Sequence, residues 1–135
     1  MTSKSSIEEL LKSAYDARVR GDLEGTLAYF ADDAVMEVNA RGIGVPELAS
    51  PLNGKAAIRP VLQQLMRDFR FTDWRTVALL VDGERALLHW KGTVTFVPNG
   101  KAATFDVFDL ITLRDGKIVS LHQSTDTAMM AALST

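Results

Sequence analysis

Asp109 is the residue whose surroundings are least usual for its type. It belongs to the run Phe105, Val107, Asp109, Ile111, Leu113, in which every other alternate residue is apolar. Alternate residues of a β-strand share a face, so this spacing sets one carboxyl group among hydrocarbon side chains. A carboxylate buried there must find hydrogen-bond donors or keep its proton. A neutral carboxylic acid in such a place donates to a ligand carbonyl, and an ionised one serves as a general base. The plainer alternative is a structural carboxylate satisfied by Trp90, Tyr15 or backbone groups.

The other polar candidates each have two readings. Trp90 either stacks on a ligand or fills the interior. Gln123 either meets a polar group of a ligand or is satisfied by Asp109. Tyr15 either donates its hydroxyl into a pocket or packs at the rim of an amphipathic helix. His89 and His122 are expected to face outward. Asp32-Asp33 reads as helix-end and turn chemistry rather than a metal pair. No His/Asp/Glu group has metal-ligand spacing, no cysteine is present, and the glycines occur singly, without a phosphate-cradling loop. No metal and no cofactor are expected.

The chain has 135 residues, 47% of them hydrophobic and 24% charged, with a net charge of −2. These values fit one domain, 1–135, large enough for a core. They offer no basic footprint for nucleic acid, and no apolar run approaches the roughly 18 residues of a membrane span. The opening Met1–Ser6 lacks the apolar core of a secretory signal, so a cytoplasmic location is expected.

The elements that must position these groups follow from periodicity. Ile7, Leu10, Leu11 and Ala14 predict an amphipathic helix over about 5–20, stopped by Gly21. Asp22 caps a short second helix bearing Leu23, Leu27 and Phe30. Ala31-Asp32-Asp33-Ala34 breaks it, and 35–38 reads as a strand. Residues 39–52 make a loop long enough to act as a lid. Asn53-Gly54 opens a third helix with Ile58, Leu62, Leu65, Met66 and Phe69 on one stripe, and Pro60 starts or kinks it. From Phe71 the period becomes two. Strands are predicted over 73–82, 85–97, 102–114 and 117–126, separated by Asp82-Gly83, Asn99-Gly100 and Asp115-Gly116.

A two-residue turn at Asn99-Gly100 sets Trp90 opposite Asp109, Gly92 opposite Val107 and Val94 opposite Phe105. A glycine bulge at Arg114-Asp115-Gly116 adds Val119, Leu121, Gln123 and Thr125 to the inward face. An unbulged turn adds Ile118, Ser120, His122 and Ser124 instead. The bulged register buries the more apolar set and is preferred.

The runs Gly21-Asp22-Leu23-Glu24-Gly25 and Tyr29-Phe30-Ala31-Asp32-Asp33-Ala34 resemble the opening of bacterial ketosteroid isomerases and SnoaL-like proteins of the nuclear-transport-factor-2-like superfamily. Asn53–Arg59 resembles the start of their third helix, and Asp115-Gly116-Lys117-Ile118-Val119 their last hairpin. The resemblance implies an α+β fold, a cone-shaped curved antiparallel sheet wrapped by three N-terminal helices around an apolar pocket, often dimeric. It implies that Asp109 takes the place of the oxyanion-hole aspartic acid. The catalytic base falls on Val38 and the tyrosine on Ala14, with Tyr15 next door. The Asp-Arg-Asp set of limonene-type epoxide hydrolases falls on Gly92, Trp90 and Gln123, so that chemistry is excluded.

Two classes of function follow. One is acid–base chemistry of isomerase or lyase type on a small hydrophobic carbonyl compound, with Asp109 and Tyr15 acting and Trp90, Gln123, Val38, Val107, Ile111, Leu121 and Phe105 holding the substrate. The other is a non-catalytic ligand-binding or dimerisation domain of the same fold. Phe108 and Leu110 on the outward face suggest a second copy as partner.

Overall fold

The computed structural model describes residues 3–40, 42 and 45–135. Ser3 starts helix α1 (Lys4–Arg20) by accepting a hydrogen bond from the Ser6 N–H. Ile7, Leu11, Ala14 and Ala17, spaced by three or four, form its buried stripe. Gly21, left-handed at φ 75°, ends α1. Asp22 then caps α2 (Leu23–Leu27), accepting from Gly25 N–H at 2.9 Å.

Strand β1 (Phe30–Val38) begins earlier than the expected 35 and absorbs the predicted break. Its ladder to the last strand is interrupted between Phe30 and Val35. Asp32 and Asp33 sit in that irregular stretch, exposed and facing Lys55 and Arg114. The predicted loop 39–52 contains a 3-10 turn (Pro46–Ala49) and the start of strand β2 (Leu52–Asn53), which pairs with β1. The lid expected there lies partly outside the described residues. Helix α3 (Lys55–Asp68) runs through Pro60 without stopping. The bond that Pro60 forgoes is to Ala56 on the exposed side, where the carbonyl is open to solvent.

Four long strands make an antiparallel meander: β3 (Phe69–Asp82), β4 (Arg85–Phe96), β5 (Lys101–Arg114) and β6 (Lys117–Ser124). Phe69, expected on the third helix, starts β3. β1 joins β6 in parallel, so the curved, unclosed sheet is mixed rather than purely antiparallel, in the order β2-β1-β6-β5-β4-β3. A fourth helix, α4 (Thr127–Leu133), follows the point where the alternating pattern had carried the last strand to 126. Asp126 caps it from Met129 N–H at 3.0 Å, and Leu133 is buried.

Two registers differ from the sequence reading. The β4–β5 loop has four residues, with Phe96 opposite Lys101. Pro98 has no N–H for a ladder, Asn99 accepts from Lys101 N–H at 2.9 Å, and Gly100 N–H bonds Phe96 at 2.8 Å. Trp90 therefore faces Val107, and Asp109 faces Leu88. The slip is by two residues, so every side chain keeps its face. In the last hairpin Arg114 pairs with Lys117 around Asp115-Gly116, both at positive φ, an unbulged two-residue turn. The irregularity lies further along, at Val119, between Leu113–Ile118 and Thr112–Ser120. Ile118 is thus buried where Val119 was expected, while Leu121 and Gln123 still join the inward set.

Gly92 lets the interior close. A Cβ there would stand 3.2 Å from Thr72 O, 3.4 Å from the Trp90 ring and 3.5 Å from Trp74 Cα. Gly92→Val is expected to destabilise the domain by about 1–3 kcal/mol, seen as a lower urea midpoint at unchanged slope. A wild-type midpoint would show that β3 yields freely there.

Candidate functional site

The alternation of β5 turns Asp109 fully inward, with 0% of its surface exposed. Its neighbours across the sheet are Leu88 and Gln123. Two donors converge on one oxygen: Trp90 Nε1 donates to Oδ2 at 2.8 Å, and the Tyr15 hydroxyl from α1 donates to the same atom. Oδ1 has no hydrogen-bond partner. Gln123 lies near enough to favour the charged carboxylate but completes no bond of normal geometry to Oδ1.

Burial dominates the electrostatics. It raises Asp109 to about 6, against the hydrogen bonds from Tyr15 and Trp90 and the nearby Gln123 amide, which favour ionisation. Burial, reinforced by the nearby Asp109 charge, holds the Tyr15 phenol well above its ordinary range. Tyr15 therefore keeps its proton at any physiological pH.

Aromatic rings fix this pair. A bulge in β3, with Asp73 at φ 53°, turns Trp74 toward Tyr15, which stacks on it at 5.5 Å and 17°. Tyr15 meets Trp90 edge-on at 5.9 Å, and Phe71 packs on Trp90 at 5.2 Å. Arg18, one turn beyond Tyr15, lays its guanidinium over Phe71, 4.0 Å from the ring centroid. Its Nη2 donates to Phe69 O at 3.1 Å and Leu65 O at 3.4 Å, at the end of α3. Burial pulls this group down to about 10.

A cavity of about 120 Å³ opens between α1, α3 and the sheet. Of the residues singled out from the sequence, Tyr15, Val38, Ile111, Leu121 and Gln123 line it. Asp109, Trp90, Val107 and Phe105 do not; they are buried in the layer behind. Asp109 thus touches the cavity through Tyr15. His89 and His122 face outward, toward Asp106 at 2.8 Å and toward Glu37 and Asn39. Sequence reasoning missed Arg18 and Trp74. A signal for Arg18 was available: residues 7, 11, 14 and 18 continue one stripe of α1, and an arginine ends it. For Trp74 the signal was hidden by the bulge. Among the described residues no group of three or more His, Asp or Glu is placed to hold a metal ion. Nor is any of their helices long and apolar enough to cross a membrane.

A curved sheet backed by helices, with a hollow between them, is the fold this chain shares with solved NTF2-like proteins. Residues 11–121 match the SnoaL-like domain family, and the chain belongs to it. An NTF2-like protein of unknown function from Burkholderia pseudomallei superposes with TM-score 0.80 at 24% identity, over 95% of this chain and 96% of that one. TerC, co-crystallized with polyporic acid, gives 0.79 at 24% identity, over 93% and 95%. An LEH-like epoxide hydrolase of M. tuberculosis gives 0.72 at 18% identity, over 90% and 84%. Likenesses at this identity establish the fold alone. No curated protein matches the sequence.

The raised acid predicts a pH dependence of stability. In the unfolded chain Asp109 loses its proton near the usual ~3.9; in the native protein it does so at about 6. Between these values the native state binds more protons, so this group's contribution to stability falls as pH rises through that window. The full difference is about 3 kcal/mol. Urea unfolding between pH ~4 and ~7 is expected to show this decline for wild type relative to Asp109→Asn. Parallel profiles for the two would mean that Asp109 titrates as it does in an unfolded chain.

Proposed function

We propose that the domain binds a small hydrophobic molecule bearing a carbonyl group in the cavity between α1, α3 and the sheet. The observation that carries this reading is the Tyr15 hydroxyl on an otherwise largely apolar wall, backed by a buried carboxyl group. The apolar lining supplies the driving force, and Tyr15 supplies orientation. The size of the hollow, about 120 Å³, suits a single-ring compound; an engineered cavity of about 150 Å³ accepts benzene.

Tyr15 and Asp109 set the pH response. While Asp109 is ionised, a charge-assisted bond holds the Tyr15 proton. Neutralising the carboxyl weakens that hold and frees the proton for a ligand carbonyl. Calorimetric titration with acetophenone and ethylbenzene tests this. Acetophenone is expected to bind several-fold tighter at pH ~5 than at ~7.5, with ethylbenzene indifferent to pH. Tyr15→Phe should abolish the preference for acetophenone. No binding of either compound would sink the reading.

A catalytic version of the same site has one observation in its favour, the elevation of Asp109 to about 6, which suits proton transfer near neutrality. Against it, no carboxylate or histidine is among the described residues lining the cavity, and Val38 occupies the wall. Carbonyl polarisation by Tyr15 is therefore the chemistry this wall favours. Turnover of an enolisable ketone by wild type, lost in Asp109→Asn, would favour catalysis over binding.

We also propose that the domain pairs with a second copy through the outer sheet face. Leu80, Leu87 and Leu110 are direct neighbours across β3, β4 and β5, exposed at 64%, 38% and 38%. Phe108, stacked on His89 at 4.3 Å, extends the patch. A contiguous apolar stripe of this kind favours association. Light scattering at micromolar concentration is expected to give a dimer for wild type and a monomer for Leu110→Glu. A monomeric wild type would remove the proposal.

A further inference from the structure

Arg18 is a cation in a place that offers it no counter-charge. No carboxylate among the described residues lies within ion-pair distance of it, and burial is the sole perturbation acting on it. The residues outside the description, Met1, Thr2, Arg41, Ile43 and Gly44, contain no carboxylate side chain. Arg18 is part-buried, and a cation drawn out of water without a partner is costly. Part of that cost is met by the Phe71 ring and by two carbonyls at the C-terminal end of α3, where the helix dipole favours positive charge.

These contacts use only Nη2 and one face of the guanidinium. Nη1 and Nε have no protein partner among the described residues, and neither atom is sealed inside the protein. Arg18 lines the same cavity as Tyr15. The two are three residues apart on α1, hence neighbours on one helix face, with Cβ atoms roughly 5–6 Å apart. The Phe71 ring covers one face of the guanidinium, which leaves the Nη1 and Nε N–H groups each free to donate to an acidic oxygen.

We propose that the cavity's ligand is a hydrophobic acid, whose carboxylate or equivalent acidic oxygens bind the free N–H groups of Arg18. The inference rests on the small-molecule reading above and narrows its ligand class. The apolar wall takes the hydrocarbon part, an aromatic ring or branched chain, and Arg18 takes the anionic end. The ligand completes the charge balance that the protein leaves open at Arg18.

Calorimetry with benzoate and its neutral isostere benzamide tests the proposal at pH ~7.5. Wild type is expected to bind benzoate at least about tenfold tighter, as a charge-assisted pair in a sheltered site implies. Arg18→Gln is expected to bring the two affinities together, and Arg18→Lys to restore part of the preference. Arg18 also ties α1 to the end of α3, so the glutamine variant is open to folding defects. The Arg18 Nε–H resonance of wild type provides a second readout, expected to shift with benzoate and stay in place with benzamide. Equal affinity of wild type for both probes, or an unmoved Nε–H signal at benzoate saturation, overturns the proposal. If acetophenone still binds in that case, the cavity reading stands and only the acid is wrong; if nothing binds, both fall.

Discussion

A carboxyl group held inside hydrocarbon is the constraint around which the surrounding structure is arranged. The alternation of β5 leaves Asp109 no route to solvent, because turning it outward would turn Phe105, Val107, Ile111 and Leu113 outward as well. The donors must therefore come to it. Trp90 is supplied by the adjacent strand, two residues along from its direct neighbour. Tyr15 has to be carried in by a helix from across the sheet. That requirement fixes where α1 lies, and the bulge at Asp73, which brings Trp74 against the Tyr15 ring, locks the approach. Gly92 leaves the room in which Trp90 and the bulged β3 fit together.

Much of this was legible in the sequence because faces are robust to the errors that sequence reading makes. The β4–β5 register was off by two residues, which changes partners but not sides, so the inward set survived intact. In the last hairpin the bulge was expected at the turn and lies at Val119; Leu121 and Gln123 kept their side, whereas Ile118 and Val119 exchanged places. What was not legible depended on events that interrupt a period. The bulge at Asp73 breaks the alternation of β3 and hides Trp74. The helix α4 lies beyond residue 126, where the expected last strand ended, and no helical period was read there. The parallel pairing of β1 with β6 is set by long-range packing and leaves no local trace. The division between residues that line the hollow and residues behind it also escaped. Face assignment places Trp90, Val107 and Phe105 inward correctly, but depth along that face is decided by where α1 and α3 come down on it.

Arg18 illustrates a different kind of omission. Attention to the lone acid in an apolar row of a strand had an exact counterpart in a helix, a lone base at the end of the stripe 7, 11, 14, 18. The physical anomaly is the same at both positions: an ionisable side chain on the face its element buries. In each case the protein supplies part of the compensation. Asp109 receives two hydrogen bonds on one oxygen and none on the other. Arg18 receives two carbonyls on one nitrogen and a ring on one face.

These two incomplete compensations meet on a single helix. Tyr15 reports the state of Asp109 to the cavity wall, and Arg18 stands one turn away on the same side of α1. The sheet contributes a floor that is mostly hydrocarbon, with Gln123 as a polar exception, so it provides driving force with little direction. Orientation comes mainly from the helix, where a phenol that keeps its proton at physiological pH and a cation that lacks an anion are held at a spacing set by the helical repeat. A small shift of α1 against the sheet would disturb both at once, lengthening the Tyr15–Asp109 contact and pulling Arg18 off Phe71. The packing of Ile7, Leu11, Ala14 and Ala17 therefore governs the chemistry of the site as directly as the polar residues do.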